Sequence, residues 1–296
     1  MKTKSFGIAT LLMATVIWGG AFVAQSAGME SIGPFTFQAI RCFLAVAALV
    51  VLSFFMELNK LNLFWKKWAD PTLWRAGIFC GLALFAATSL QQVGLVSTDA
   101  GKAGFITALY IVIVPLIELL LHKKPGIMTF VSIGIAVCGM YLLCGADLSQ
   151  IKIGDILLML CAVAFAVQIT LVDRLGKQHD PLRLNSVQAL TVTVLSLPFL
   201  LTENLDGNLI LSCWLPLTYA GVLSMGLAYA LQIIGQRLVE SSTAALLMSL
   251  ESVFAAVFGA LILKDQMQDT ELIGCGLMFA AVILSQLPGK KQPASR

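Results

Sequence analysis

The chain has 296 residues, of which 58% are hydrophobic and 12% charged, and its mean hydropathy is +0.90. This composition excludes a soluble globule, which would need far more polar surface, and indicates an integral membrane protein. The net charge of +3 reflects basic residues in the connections between apolar segments, so it does not indicate nucleic-acid binding.

Ten apolar segments follow one another along the chain, each about long enough to cross a bilayer as a helix. The longest connection, Glu57–Thr72, contains Trp65 and Trp68 and is expected to lie at the membrane interface. The ten segments run approximately over Phe6–Ala27, Phe35–Met56, Leu73–Leu95, Ala100–Leu121, Gly126–Cys144, Gly154–Val172, Leu184–Leu201, Leu211–Gly235, Ser241–Leu263 and Glu271–Leu287.

The first segment also has features of a secretory signal, because Lys2 and Lys4 precede an apolar run. It is longer than the apolar region of a signal peptide, however, and it matches the sixth segment when the halves of the chain are aligned. We therefore interpret it as the first transmembrane helix.

Basic residues are distributed unevenly over the connections. If the N-terminus is cytoplasmic, fifteen Lys and Arg residues fall on the inside and three on the outside, with Arg41 inside a helix. The positive-inside rule then predicts that both termini are cytoplasmic in a multi-pass protein of the cell membrane. The three outside residues are Lys102, Lys152 and Lys264.

The two halves of the chain resemble each other. A shift of 141 positions places Leu90–Gly94 on Leu231–Gly235 and Tyr110 on Glu251, and a shift of 147 places Trp18 on Phe165. This self-similarity predicts a duplication with one short deletion.

Each copy holds five helices, an odd number, so the second copy must enter the membrane upside down. The sequence therefore predicts an all-α membrane fold of ten helices, arranged as two inverted five-helix repeats around a central cavity. The expected divisions are a first repeat at 1–146, a second repeat at 147–288 and a cytoplasmic tail at 289–296.

Glu251 is a charged residue near the middle of the ninth apolar segment. Placing a lone carboxylate at the centre of a bilayer costs at least about 2.5 kcal/mol, so such a residue usually faces a cavity or a partner. An acid at that depth can exchange protons near neutral pH or hold a cationic group. We predict that Glu251 binds substrate and couples transport to protons, and that Tyr110 faces it across the pseudo-twofold axis.

Arg41 lies about two turns below the outer end of the second helix. It is a candidate anchor for an anionic group or a counter-ion for Glu251. A guanidinium this close to the surface can also snorkel to the lipid headgroups. The sequence leaves both interpretations open.

Several polar or amphipathic residues interrupt otherwise aliphatic helices. Buried amides and hydroxyls need partners, which in a helix bundle are either neighbouring helices or a ligand. Hydrogen bonding between helices is the commoner role, but together these side chains are candidates for substrate binding. They are Trp18, Gln91, Tyr110, Gln168, Tyr229 and Gln232.

Motifs for metal binding and catalysis are missing from the sequence. The seven cysteines are scattered singly and the two histidines lie in short connections, so neither a metal site nor a cofactor is expected. There is no phosphate-binding loop and no HExxH or GxSxG motif, and we do not expect an enzyme. Glu118 lies four residues before His122, a spacing suited to a pair on one helix.

Four stretches carry a resemblance to a known family: Ile17–Ala24, Arg41–Ala45, Ser97–Thr107, and Ser241–Glu251 with the following Ser252–Ala256. They resemble the motifs of EamA-type transporters of the drug/metabolite transporter superfamily, and the likeness covers nearly the whole chain. The resemblance implies ten helices around a central cavity, alternating access and movement of small metabolites, often outward.

The chain departs from the family pattern at two positions. Ser252 stands where Pro usually follows the Glu, which puts a helix irregularity beside Glu251 in doubt. Lys124 stands where an acid often closes the fourth helix.

We therefore expect a secondary transporter that exports a small organic metabolite, amino-acid-like, amine or drug-like, with protons coupled through Glu251. An uncoupled facilitator or exchanger is the alternative within transport, and a non-transporting scaffold or accessory subunit is the alternative outside it. The expected partners are a small-molecule substrate and the lipid bilayer. A homodimer stays open, because lipid-facing and dimer-facing helices look alike in sequence.

Overall fold

The computed structural model describes residues 2–98, 100–123, 125–144, 152–263 and 267–286, with the side chains at 2, 63, 100–102 and 263 excepted. Over these residues the chain is helical and contains no strand, which confirms the predicted all-α membrane fold. The side chain of Lys102, the residues Lys124 and Lys264, the boundary at 146/147 and the tail 289–296 lie outside the described part.

The helices follow one another with short connections. Short 3₁₀ turns cover Leu58–Lys60 and Gly176–Gln178, and π-helices cover Tyr219–Ala228 and Gly259–Leu263. The α-helices are α1 Lys2–Met29, α2 Pro34–Met56, α3 Leu61–Trp68, α4 Pro71–Leu95, α5 Ala100–Ala108, α6 Tyr110–Leu120, α7 Ile127–Cys144, α8 Ile153–Leu175, α9 Pro181–Leu200, α10 Gly207–Ser212, α11 Trp214–Thr218, α12 Tyr229–Gln236, α13 Ser241–Met248, α14 Glu251–Phe258 and α15 Asp269–Gln286.

Nine helical stretches in the described ranges are long and apolar enough to cross a membrane. The predicted span missing from these nine is the seventh, α9, which has 20 residues but is more polar than the others. Its polar residues Asn185 and Gln188 are fully buried, because α9 packs against α2 and α4. The low hydropathy of α9 is therefore explained by its place inside the bundle.

Small residues let α4 and α9 approach closely. A Cβ on Gly77 would lie 2.5 Å from Val187, and one on Gly81 would lie 2.6 Å from Thr191. The Gly77/Gly81 spacing is the GxxxG pattern that brings membrane helices into backbone contact.

The connection from α2 to α4 contains the short helix α3. Its Phe64 is buried, whereas Trp65 and Leu61 are exposed and Lys66 and Lys67 lie in its last turn. This arrangement of apolar and basic residues is typical of a helix lying in the membrane interface, and the interfacial location of the Glu57–Thr72 connection stays a prediction.

The helices pack in a pattern that repeats between the halves of the chain. Helix α1 contacts α12, α13 and α14, and α8 contacts α4, α5 and α6 in the corresponding way. Helices α2 and α9 pack against each other, as do α7 and α15. This exchange of equivalent partners is the pattern that a pseudo-twofold axis would produce, and the division into two inverted repeats stays a prediction.

Two of the predicted spans are broken in the middle. The fourth is interrupted at Leu109, between α5 and α6, and the ninth at Ser249 and Leu250, between α13 and α14. Leu109 has φ −60° and ψ −7°, and Leu250 has φ −63° and ψ −9°. The helix irregularity beside Glu251 is thus present although Ser252 replaces the family's Pro.

Candidate functional site

The two breaks place Tyr110 and Glu251 at equivalent positions in the bundle, each directly after a kink. The Tyr110 hydroxyl donates a hydrogen bond to Oε1 of Glu251 at 3.3 Å. Tyr110 is buried and Glu251 is half-buried because its carboxyl group borders a cavity. The prediction that these two residues face each other is confirmed.

The cavity lies between the halves of the chain and is lined by every residue that the sequence predicted for substrate binding. Whether these side chains touch a substrate stays a prediction. The lining residues are Trp18, Ala21, Phe22, Gln25, Arg41, Thr88, Gln91, Tyr110, Phe165, Gln168, Ile169, Ser224, Met225, Tyr229, Gln232, Met248 and Glu251.

Aromatic rings form part of the cavity wall. The rings of Trp18 and Tyr229 meet edge to face with centroids 5.0 Å apart, and those of Tyr110 and Phe165 do so at 6.3 Å. Edge-to-face contacts stabilise aromatic pairs beyond the burial of their surface. The indole Nε1 of Trp18 is buried and has no partner in the described part of the chain, so the wall also offers a hydrogen-bond donor.

Arg41 does not snorkel to the headgroups, because its side chain points inward and is only 3% exposed. Its Nη1 donates to Oε1 of Gln25 at 2.6 Å, and its guanidinium carbon lies 5.6 Å from the centre of the Phe37 ring. Nε of Arg41 is buried without a partner, and no ion pair of Arg41 is found within the described residues. The cavity therefore holds a buried cation that no carboxylate of the described residues balances in an ion pair.

A chain of side-chain amides runs from the cavity into the bundle. Gln232 donates to Gln168 at 3.2 Å, and Gln168 donates to Gln188 at 3.1 Å. Gln188 in turn donates to Asn185 at 3.1 Å. These amides thus make hydrogen bonds between helices, the commoner role of buried polar residues in a bundle. Two of them, Gln232 and Gln168, also line the cavity.

Several residues that line the cavity were not predicted from the sequence, and Gln25 is the most informative of them. Gln25 is buried next to the Arg41 guanidinium, and its Nε2 donates to the carbonyl of Ala21 at 3.2 Å. It lies near the end of the first apolar segment. The signal that could have revealed it is the need of a buried guanidinium for an acceptor.

The chain is similar to known transporters. The model of the EamA-like transporter family matches residues 5–145 and 152–287. An uncharacterized transporter of Archaeoglobus fulgidus is 31% identical over 278 residues, covering 94% of this chain and 84% of that protein. The threonine/homoserine exporter RhtA of Escherichia coli K12 is 28% identical over 292 residues, covering 96% of this chain and 92% of the exporter.

A further relative and a solved structure extend the similarity. The uncharacterized transporter YwfM of Bacillus subtilis is 25% identical over 291 residues, covering 96% of this chain and 95% of that protein. A crystal structure with 17% identity matches with a TM-score of 0.76 over 96% of this chain and 97% of that chain, which shows a shared fold. With its all-helical bundle and family matches along both halves, the chain belongs to the EamA-like transporter family and is a multi-pass membrane transporter of small metabolites.

Proposed function

We propose that this protein exports zwitterionic solutes of the amino-acid type by alternating access, with protons coupled through Glu251. The observation that carries the proposal is the pair of opposite charges on one cavity, Arg41 and Glu251. Burying an unpaired charge costs several kcal/mol, and an oppositely charged partner with good geometry offsets a free energy of about that size. A solute carboxylate at Arg41 and a solute ammonium at Glu251 would supply both missing partners.

The relatives support the same class of solute. The threonine/homoserine exporter RhtA, similar over 96% of this chain, is named for two amino acids. Each carries one carboxylate and one ammonium group, the two charges that the cavity complements. At 28% identity the comparison supports the class, and we propose no individual amino acid.

Proton coupling would follow from competition for one carboxylate. Ionised Glu251 holds the solute ammonium, whereas protonated Glu251 has no charge to offer it. Proton binding and solute binding then exclude each other, so a proton enters as a solute leaves. The hydroxyl of Tyr110 donates a hydrogen bond to the same carboxylate, 3.3 Å from Oε1.

Proteoliposomes with an acidic interior test the proposal, because protons leaving an exchanger should drive labelled amino acids inward against their gradient. We expect uphill uptake by the wild type and only equilibration by Glu251→Gln. Tyr110→Phe, which keeps the ring and the acid, is the matched control and should retain uphill uptake at a rate reduced up to about tenfold. Uphill uptake by Glu251→Gln would contradict the coupling, and a wild type that moves no amino acid would contradict the solute class.

We further infer that both termini face the cytoplasm in the cell membrane. The end of the bundle that carries most Lys and Arg residues holds the start of α1 and the end of α15, and the positive-inside rule places that end in the cytoplasm. Labelling of single cysteines introduced at the two ends, in intact cells with a membrane-impermeant reagent, checks the orientation.

A further inference from the structure

The amide chain of the cavity ends on the backbone of the π-helix Tyr219–Ala228. The Asn185 side-chain nitrogen donates to the carbonyl oxygens of Met225 at 2.9 Å and of Gly226 at 2.8 Å. All four amide side chains are at most 1% exposed, so water does not compete for them. In order from the cavity they are Gln232, Gln168, Gln188 and Asn185.

The backbone end fixes the direction of every hydrogen bond in the chain. A carbonyl oxygen only accepts, so Asn185 must present its nitrogen to the π-helix and its oxygen to Gln188. Gln188 then donates to Asn185 and accepts from Gln168, and Gln168 accepts from Gln232 in the same sense. Gln232 thereby commits one of its two N–H groups to Gln168, and its oxygen is left over as an acceptor.

The oxygen at the cavity end lacks a partner. Oε1 of Gln232 is buried and accepts no hydrogen bond from any residue that the structure describes, although Gln232 lines the cavity. A buried acceptor without a donor is costly, and an isolated amide would relieve this by rotating. Here rotation would place two donors or two acceptors against each other along the amide chain, so the Gln232 oxygen is held on the side of its amide group away from Gln168.

We propose that Oε1 of Gln232 accepts a hydrogen bond from a hydroxyl group on the solute, which makes Gln232 a specificity-determining residue. The inference rests on the proposed function, in which Arg41 takes the carboxylate and Glu251 the ammonium. The remaining group of the solute that meets Gln232 must then be a neutral donor. A solute acceptor would face the amide oxygen and be rejected, and an aliphatic side chain would leave that oxygen unpaired.

Counterflow in proteoliposomes preloaded with an unlabelled amino-acid mixture measures the preference directly. Threonine and valine have the same shape and differ in one hydroxyl for one methyl group. We expect wild-type protein to prefer threonine by about tenfold or more, because a site built to bond a hydroxyl discriminates against the analogue without it. In Gln232→Met, threonine uptake should fall more than valine uptake, so the ratio approaches one.

Two variants away from the cavity test the role of the chain. Asn185 and Gln188 do not line the cavity, so neither is expected to contact the solute. Asn185→Leu and Gln188→Met each free the amides between the substituted position and the cavity to rotate. The threonine preference should therefore fall in both variants. The matched control is Gln38→Met, which removes another fully buried amide of the bundle. Gln38 donates to Ser89 and Ser196 and is not part of the amide chain that ends at Asn185. This variant should therefore keep the wild-type ratio of threonine to valine uptake.

The outcomes separate this inference from the proposed function. If no amino acid shows counterflow, both are overturned. If amino acids move but threonine and valine move equally well in the wild type, only this inference is overturned. If active Asn185→Leu and Gln188→Met proteins keep the threonine preference, the proposed role of the amide chain is overturned. If these two buried variants do not fold, Gln232→Met alone decides whether Gln232 contacts the solute hydroxyl.

Discussion

Glu57, directly after α2, forms ion pairs with side chains of α3 and α9. Its carboxylate accepts from Lys67 and from Arg183, each at 2.5 Å. Arg183 is only 1% exposed, and its guanidinium lies 5.3 Å from the centre of the Phe64 ring. The hydrogen bond from Lys67, together with the contacts of Arg183, lowers the pKa of Glu57.

We expect Glu57→Gln to destabilise the protein by about 1–2 kcal/mol, because the buried guanidinium of Arg183 loses the nearer of two ionised partners and keeps Asp180 at 3.5 Å. A carboxyl group with a lowered pKa stabilises the folded state fully above its unfolded pKa of about 4.3. The stabilisation is lost as the pH falls through the lower pKa of the folded protein. Melting temperatures of purified protein should therefore differ between wild type and variant at pH 7 and converge below about pH 4.

The control for this prediction is Glu30→Gln, which neutralises an exposed acid at the end of α1. It should leave the melting temperature unchanged at every pH. A Glu57→Gln protein that melts like the wild type at pH 7 would contradict the stabilising role of Glu57.

The candidate site illustrates which residues a sequence can reveal. Glu251, Arg41 and Gln232 were predictable because a large polar group inside an apolar helix must find a partner or a cavity. Thr88 was not, because its hydroxyl donates to the carbonyl of Leu84 at 2.8 Å. A threonine can satisfy itself on its own helix wherever it stands, so its place on the cavity wall leaves no trace in the sequence.

At the scale of the helix, the span boundaries were predictable to within a few residues because hydropathy follows the bilayer thickness. The kinks were not. At Leu250 the backbone N–H turns to the carbonyl of Leu247 at 3.2 Å, one residue short of the α-helical partner. This departure has no Pro or Gly beside it, so the local sequence carries no signal for it.

The helix pair α7 and α15 shows contact between backbones that the sequence analysis did not single out. A Cβ on Gly139 would lie 2.8 Å from the carbonyl oxygen of Gly274. A Cβ on Gly274 would lie 2.5 Å from the carbonyl oxygen of Gly139. The two helices touch at these glycines, and no larger residue fits without moving them.

We expect Gly139→Ala and Gly274→Ala each to destabilise the protein by about 1–3 kcal/mol, because a methyl group forces the helices apart. The matched controls are Gly134→Ala on α7 and Gly276→Ala on α15, where an added Cβ meets nothing within 4 Å. These should be neutral or slightly stabilising, since Ala is the better helix former by about 1 kcal/mol. Melting temperatures in detergent distinguish the pairs, and equal shifts in all four variants would refute the contact.

At the scale of the molecule, the basic end of the bundle is tied together across the halves of the chain. Nζ of Lys123, just beyond α6, lies 2.7 Å from Oδ2 of Asp173 on α8. The hydroxyl of Ser242 on α13 donates to the carboxylate of Glu118 on α6. Glu118 thus bonds to another helix, and the pair with His122 that the spacing suggested is not found within the described residues.

We expect Lys123→Gln to loosen this end. Loss of a half-exposed ion pair removes up to about 1 kcal/mol, which shifts the ratio of open to closed states at this end by about fivefold. Modification of a cysteine at Met248, which lines the cavity, should become faster by that factor when an impermeant thiol reagent is added from the basic side. Lys177→Gln is the control, because Lys177 pairs with Asp173 on the same stretch of chain and connects no halves; an equal effect in both variants would argue against a tie between halves.

The matching kinks at Leu109 and Leu250 carry different chemistry on the residue that follows, a phenol at Tyr110 and a carboxylic acid at Glu251. Of these two groups, only the acid is able to give up its proton at or below neutral pH, because a phenol ordinarily loses its proton near pH 10. A carrier coupled at this junction would therefore have a stoichiometry of one proton per turnover. The largest ratio of solute concentrations that it could maintain across the membrane then corresponds to the free energy of one proton moving down its electrochemical gradient. A second acid at position 110 would raise this limit.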